Sequence, residues 1–119
     1  MYTATCHCGA VSVEIPRRPR RLTSCNCSIC QRYATLMAYF NFRDVKVHAK
    51  PGATASYVWG DKSIKFVRCA TCGCVMFWQP LTIRADSRMG VNARNLAPSV
   101  IATTRIRRFD GASTWKFLD

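Results

Sequence analysis

The chain has 119 residues and 13.4 kDa, with 18 Lys+Arg against 6 Asp+Glu and a formal net charge of +12. Apolar residues make up 49% of it, which excludes disorder, and no run of about 18 apolar residues exists, which excludes a membrane-spanning helix. A single domain over residues 1–119 is expected, and its charge favours an anionic partner such as an acidic small molecule, nucleic acid or an anionic surface.

The opening residues, Met1 to Thr5, have no basic start and no apolar stretch, so no secretory signal is read and a cytoplasmic location is expected. They lead into Cys6-His7-Cys8-Gly9, where a first strand is expected to end and turn at Gly9. His7 would point away from the flanking cysteines. Val11, Val13 and Ile15 alternate with Ser12 and Glu14, the period of a half-buried strand. Arg17, Arg18, Arg20 and Arg21 then crowd around Pro16 and Pro19. They are either a solvated loop or, with Arg32, guanidiniums that steer an anionic substrate. A strand over Arg21 to Ser24 precedes Cys25-Asn26-Cys27-Ser28-Ile29-Cys30, and Ser28 to Ala34 could form one short turn of helix. Tyr33 is the candidate pocket wall beside this triplet.

Further strands are expected over Met37 to Phe42, around His48 (a structural histidine on this reading), and over Thr54 to Trp59. Ile64 and Phe66 share one face of the next, which runs into Cys69-Ala70-Thr71-Cys72-Gly73 and returns as Val75 to Trp78. Asp86 reads as a solvated loop charge. Val100 to Phe109 is expected to form one strand, with Arg105, Arg107 and Arg108 around Ile106 on an outer face. Pro51-Gly52, Gly60-Asp61, Gly73, Gly90 and Asp110-Gly111 read as turns. The aromatics, including Tyr39, Phe40, Tyr57, Trp59, Phe77, Trp78 and Trp115, read mostly as core. Short strands separated by turns every ten residues or so predict an all-β domain of short antiparallel sheets.

Seven of the eight cysteines fall into three groups. Three thiols within six residues make an awkward disulfide framework but a natural tripod for one ion, and Cys69-x-x-Cys72-Gly73 reads as a knuckle whose turn aims N–H groups at sulfur. Metal is therefore favoured over disulfides. Cys6, Cys8, Cys69 and Cys72 would close one structural zinc site, and Cys25, Cys27 and Cys30 would hold a second zinc with one position open. A second reading fills that position with Cys74. Two Zn²⁺ and seven thiolates would bring the charge to about +9, still strongly basic. Three sulfurs weaken zinc as a Lewis acid and suit a soft incoming thiol, so thiolate addition to a small electrophile is more natural there than hydrolysis.

In order along nearly the whole chain, Cys6-His7-Cys8-Gly9, Cys25-Asn26-Cys27-Ser28-Ile29-Cys30-Gln31-Arg32, Arg68-Cys69-Ala70-Thr71-Cys72-Gly73 and Asp110-Gly111-Ala112-Ser113-Thr114-Trp115 resemble the glutathione-dependent formaldehyde-activating family, also called the centromere protein V family. The resemblance implies a tent-like all-β fold, a structural zinc on Cys6, Cys8, Cys69 and Cys72, and a catalytic zinc on Cys25, Cys27 and Cys30. The implied activity is that of a carbon–sulfur lyase joining glutathione and formaldehyde as S-hydroxymethylglutathione. Gln31, Ala34-Thr35 and Cys74 depart from the family's usual pattern. Small thiol and aldehyde substrates are thus expected, with Arg32 and Tyr33 in the substrate site and no membrane partner. The alternative is a non-enzymatic zinc module that uses its basic surface for nucleic acid or another polyanion.

Overall fold

The structure, a computed structural model, describes residues 2–119 as two sheets that share one core. The smaller sheet contains β1 (Tyr2–Thr5), β2 (Val11–Ile15) and β5 (Lys46–Ala49), antiparallel in the order β1-β2-β5. Val11, Val13 and Ile15 are fully buried, as their alternation with Ser12 and Glu14 requires.

The larger sheet contains β3 (Arg21–Cys25), β4 (Met37–Asn41), β6 (Thr54–Val58), β7 (Ile64–Cys69), β8 (Val75–Pro80), β9 (Arg88–Asn92) and β10 (Arg105–Phe109). Its order is β10-β3-β4-β9-β8-β7-β6. Every pairing is antiparallel except β10 with β3, which is parallel. Two short helices, α1 (Ser28–Tyr33) and α2 (Pro98–Ala102), join them. The fold is mostly β, as the alternation predicts, and no helix in the described residues is long and apolar enough to cross a membrane.

The seven-stranded sheet has two different faces. One packs on the small sheet, and Val11, Val13, Ile15, Val67, Phe77 and Val91 meet in the main core. The other carries α1 and a second cluster built on Ile29, Met37 and Phe66. Alternation along β7 divides them, so Val67 faces the main core while its neighbour Phe66 faces α1.

Three expectations are corrected. Gly90 lies inside β9, not in a turn, because the Trp78 side chain lies over it: a Cβ there would come within 2.2 Å of the indole nitrogen. The stretch from Val100 to Phe109 is not one strand. Pro98 takes an initial position of α2, where its missing N–H costs nothing, and the chain is helical to Ala102 before β10 begins at Arg105. Among the aromatics, Phe40 and Phe77 are core, but Tyr57, Trp59 and Trp115 are exposed, Trp115 at 71%.

The Gly90 contact yields a stability prediction. Gly90→Ala forces the indole or the backbone to move, and overpacking of this kind costs about 1–3 kcal/mol. Denaturant titration should show the midpoint fall with an unchanged slope.

Candidate metal centres

The turn from β1 to β2 and the turn from β7 to β8 meet at one end of the molecule. They bring the sulfurs of Cys6, Cys8, Cys69 and Cys72 within 4.8 Å of one another. Cys6 and Cys69 are buried in the main core. The Sγ–Sγ distances are 3.7 Å for Cys6–Cys8 and 3.6 Å for Cys8–Cys69, far beyond a covalent S–S bond. Backbone N–H groups point at the sulfurs: Val11 donates to Cys6 at 3.3 Å and Cys72 to Cys69 at 3.4 Å. The N–H groups of Cys74 and Cys8 bring the Cys72 thiol down to about 5, which favours the ligating thiolate.

A second group lies on the opposite face of the large sheet. Cys25 ends β3, Cys27 caps the start of α1, and Cys30 sits one turn into that helix, so their sulfurs also lie within 4.8 Å of one another. α1 is fixed there by Ile29 in the second cluster and by Ala34, which ends it in the left-handed conformation at φ 54°.

These three thiols differ in how readily they ionise. Burial, then the neighbouring Cys27 sulfur, pushes the Cys30 thiol up; burial also raises Cys25. Burial works against Cys27 too, yet the Cys30 and Ile29 N–H groups at the start of α1 bring it below its ordinary value. Thiols this close cannot all ionise without a cation between them, so the cluster suits a metal ion.

Cys74 does not join the triplet. It lies in the β7–β8 turn, with the His7 N–H and the Cys72 sulfur beside it. All eight cysteines are free thiols. His7 is exposed in the first turn, and His48 meets Glu14 at 3.1 Å on the surface of the small sheet. Asp86 lies in an exposed turn.

Of the two substrate-site candidates, Tyr33 packs its ring 5.7 Å from Phe66 in the cluster that also holds Cys27 and Cys30. Arg32 is exposed, and its guanidinium donates to the Ser28 carbonyl at 2.9 Å, one turn back along α1. Both residues follow Cys30 on α1, Tyr33 packed inward and Arg32 on the surface.

Sequence reasoning reads Asp110-Gly111 as a turn and quotes Asn26 and the 110–115 run as motifs, but it does not connect them as the brace of this loop. Asn26 donates to Asp110 at 3.0 Å and accepts from the Ala112 N–H at 3.0 Å. Asp110 also accepts from the Thr114 N–H and hydroxyl, and these bonds, led by Asn26, hold its carboxyl below the usual range. Gly111 is pressed so close that a Cβ would come within 2.6 Å of the Cys25 sulfur. The 110–115 turn thus closes over the triplet, with Trp115 edge-on to Phe109. Asn26 and Asp110 are 84 residues apart, so no local pattern links them. Two buried hydroxyls lie near the site, Thr23 beside the Tyr39 phenol and Thr35 beside the Cys30 sulfur. Tyr39, in the same cluster, has its phenol pushed up to about 12 by burial and stays protonated.

The family model for the glutathione-dependent formaldehyde-activating enzyme matches residues 1–107. A crystal structure of a Rhodobacter sphaeroides protein is similar at 27% identity and a TM-score of 0.71, covering 87% of this chain and 98% of that one. No curated protein matches the chain.

Proposed function

This chain belongs to the glutathione-dependent formaldehyde-activating family, and from that premise we propose that it is a zinc enzyme that adds a thiol to a small aldehyde such as formaldehyde, or catalyses the reverse cleavage. The observation that carries the proposal is the separation of the cysteines into a four-sulfur and a three-sulfur group on opposite faces of one sheet.

Cys6, Cys8, Cys69 and Cys72 would hold a structural zinc. Their 3.6–3.7 Å sulfur separations fit the edge of a tetrahedron with Zn–S bonds of about 2.3 Å. Cys25, Cys27 and Cys30 would hold the second zinc. When bound, that ion lowers the pKa of an incoming thiol and supplies its fourth position. The overall reaction forms a C–S bond, opens the carbonyl π bond and moves the thiol proton to the carbonyl oxygen. It needs no redox partner.

The chain's own residues do the positioning. The Asn26–Asp110 brace fixes the cysteine loop. Tyr33, Tyr39 and Trp78 form an apolar wall that limits water near a small electrophile. Arg32 stands at the rim as a cation for an acidic substrate. A small, basic protein acting in the cytoplasm on acidic thiols is consistent with the whole reading.

The test is formaldehyde consumption with glutathione present. It should require the thiol, cease when a chelator removes about one zinc per chain, and return on adding zinc, with circular dichroism unchanged throughout. Consumption indifferent to thiol or metal would contradict the proposal.

A further inference from the structure

β3 carries Cys25 at one end and Arg21 at the other, four residues apart and therefore on the same face of the sheet. Beside Arg21 the sheet opens. β3 and β4 pair only at Thr23 and Met37, and beyond that point the strands part. The gap is a groove of about 390 Å³ lined by Arg17, Arg20, Arg21 and Arg88, with Ala38, Tyr39 and Phe40 of β4 along its other side. Tyr39 also belongs to the cluster that holds Cys27 and Cys30, so one residue of β4 borders the groove and that cluster. Between them, on β3, lies the buried Thr23, whose hydroxyl neighbours the Tyr39 phenol.

The four arginines lack a counter-charge. The ion pairs among the described residues join His48 to Glu14 and Arg107 and Arg108 to Asp119, and none involves the groove. Two of the guanidiniums are held in place without neutralisation: Arg17 lies 5.2 Å over the Phe40 ring and Arg21 5.4 Å over Phe117. Arginines that line one groove without a counter-charge are suited to a carboxylate or a phosphate.

We infer that this groove is the subsite for the anionic end of the thiol substrate, and that β3 acts as a ruler between that end and the reacting sulfur. The inference rests on the thiol chemistry proposed above and adds a length requirement to it. Four strand residues span about 13 Å, and the reach of an arginine shortens this, so anion and sulfur should be on the order of 10 Å apart. A short mercapto acid cannot bridge that distance. An extended thiol with a terminal carboxylate or phosphate can.

The experiment compares kcat/KM for formaldehyde condensation with 3-mercaptopropionate and 8-mercaptooctanoate, each against the alcohol of equal length. The acid should be preferred by about tenfold or more only for the long thiol. The preference should shrink with added salt and vanish in the Arg21→Gln/Arg88→Gln double variant. A parallel arm with 8-mercaptooctyl phosphate identifies the favoured anion by the larger preference. An acid preference equal at both lengths, or one that survives the double substitution, overturns the inference. S-methylated 8-mercaptooctanoate, which has no thiol to react, provides an independent readout through tryptophan fluorescence. Its salt-sensitive binding, weakened about tenfold by the double substitution, would uphold the groove even if no thiol were consumed. Absence of that binding in an enzyme that does consume formaldehyde would sink the groove and leave the proposed activity standing.

Discussion

Cys72→Ser is expected to unfold the domain. Cys72 is one of four sulfurs that fasten the β1–β2 turn of the small sheet to the β7–β8 turn of the large one, joining segments more than sixty residues apart. Structural zinc in small peptides contributes about 10–16 kcal/mol, as much as the whole net stability of about 5–15 kcal/mol of an ordinary domain. A serine hydroxyl is a poor replacement for the thiolate, so most of that linkage is lost. Far-ultraviolet circular dichroism and gel filtration should show an unfolded or aggregated chain. A folded Cys72→Ser protein with near-native stability would remove the structural role of this group.

Cys27→Ser should have the opposite signature. The triplet lies on the other face of the sheet, on a loop and a short helix whose side-chain anchors are Ile29 and the Asn26–Asp110 brace, and these are untouched. The variant should fold, lose about one zinc per chain, and lose activity by more than about 100-fold, since even indirect supports of a metal site cost up to that much. Metal analysis on the folded protein, paired with the formaldehyde assay, checks both parts. If Cys27→Ser unfolds as Cys72→Ser does, the two groups are not functionally distinct.

What the sequence reveals and what it conceals follow from the range of each signal. Strand β2 is legible because alternation is local and one of its faces is buried. The clustering of cysteines is legible for the same reason, since each group spans only a few residues. The strand identity of β9 is hidden because Gly90 signals a turn, and only the approach of Trp78 from β8 explains why a glycine is needed in mid-strand. α2 is hidden because Val100 and Ile101 favour strands, and the deciding residue, Pro98, lies just before them. The brace on the triplet and the arginine groove depend on partners brought together by the fold: Asn26 with Asp110, and Arg21 with Arg88 across the gap beside β4. No pattern in a single stretch of chain encodes those meetings.

The most direct test is zinc-edge X-ray absorption on the two-zinc protein, before and after a thiol is added. Four sulfurs around one ion and three around the other predict an average of about 3.5 sulfurs per zinc at about 2.3 Å, rising to about 4 with the thiol. An average of four before any thiol is present, or one that does not change on adding it, would contradict an open position on the triplet's ion.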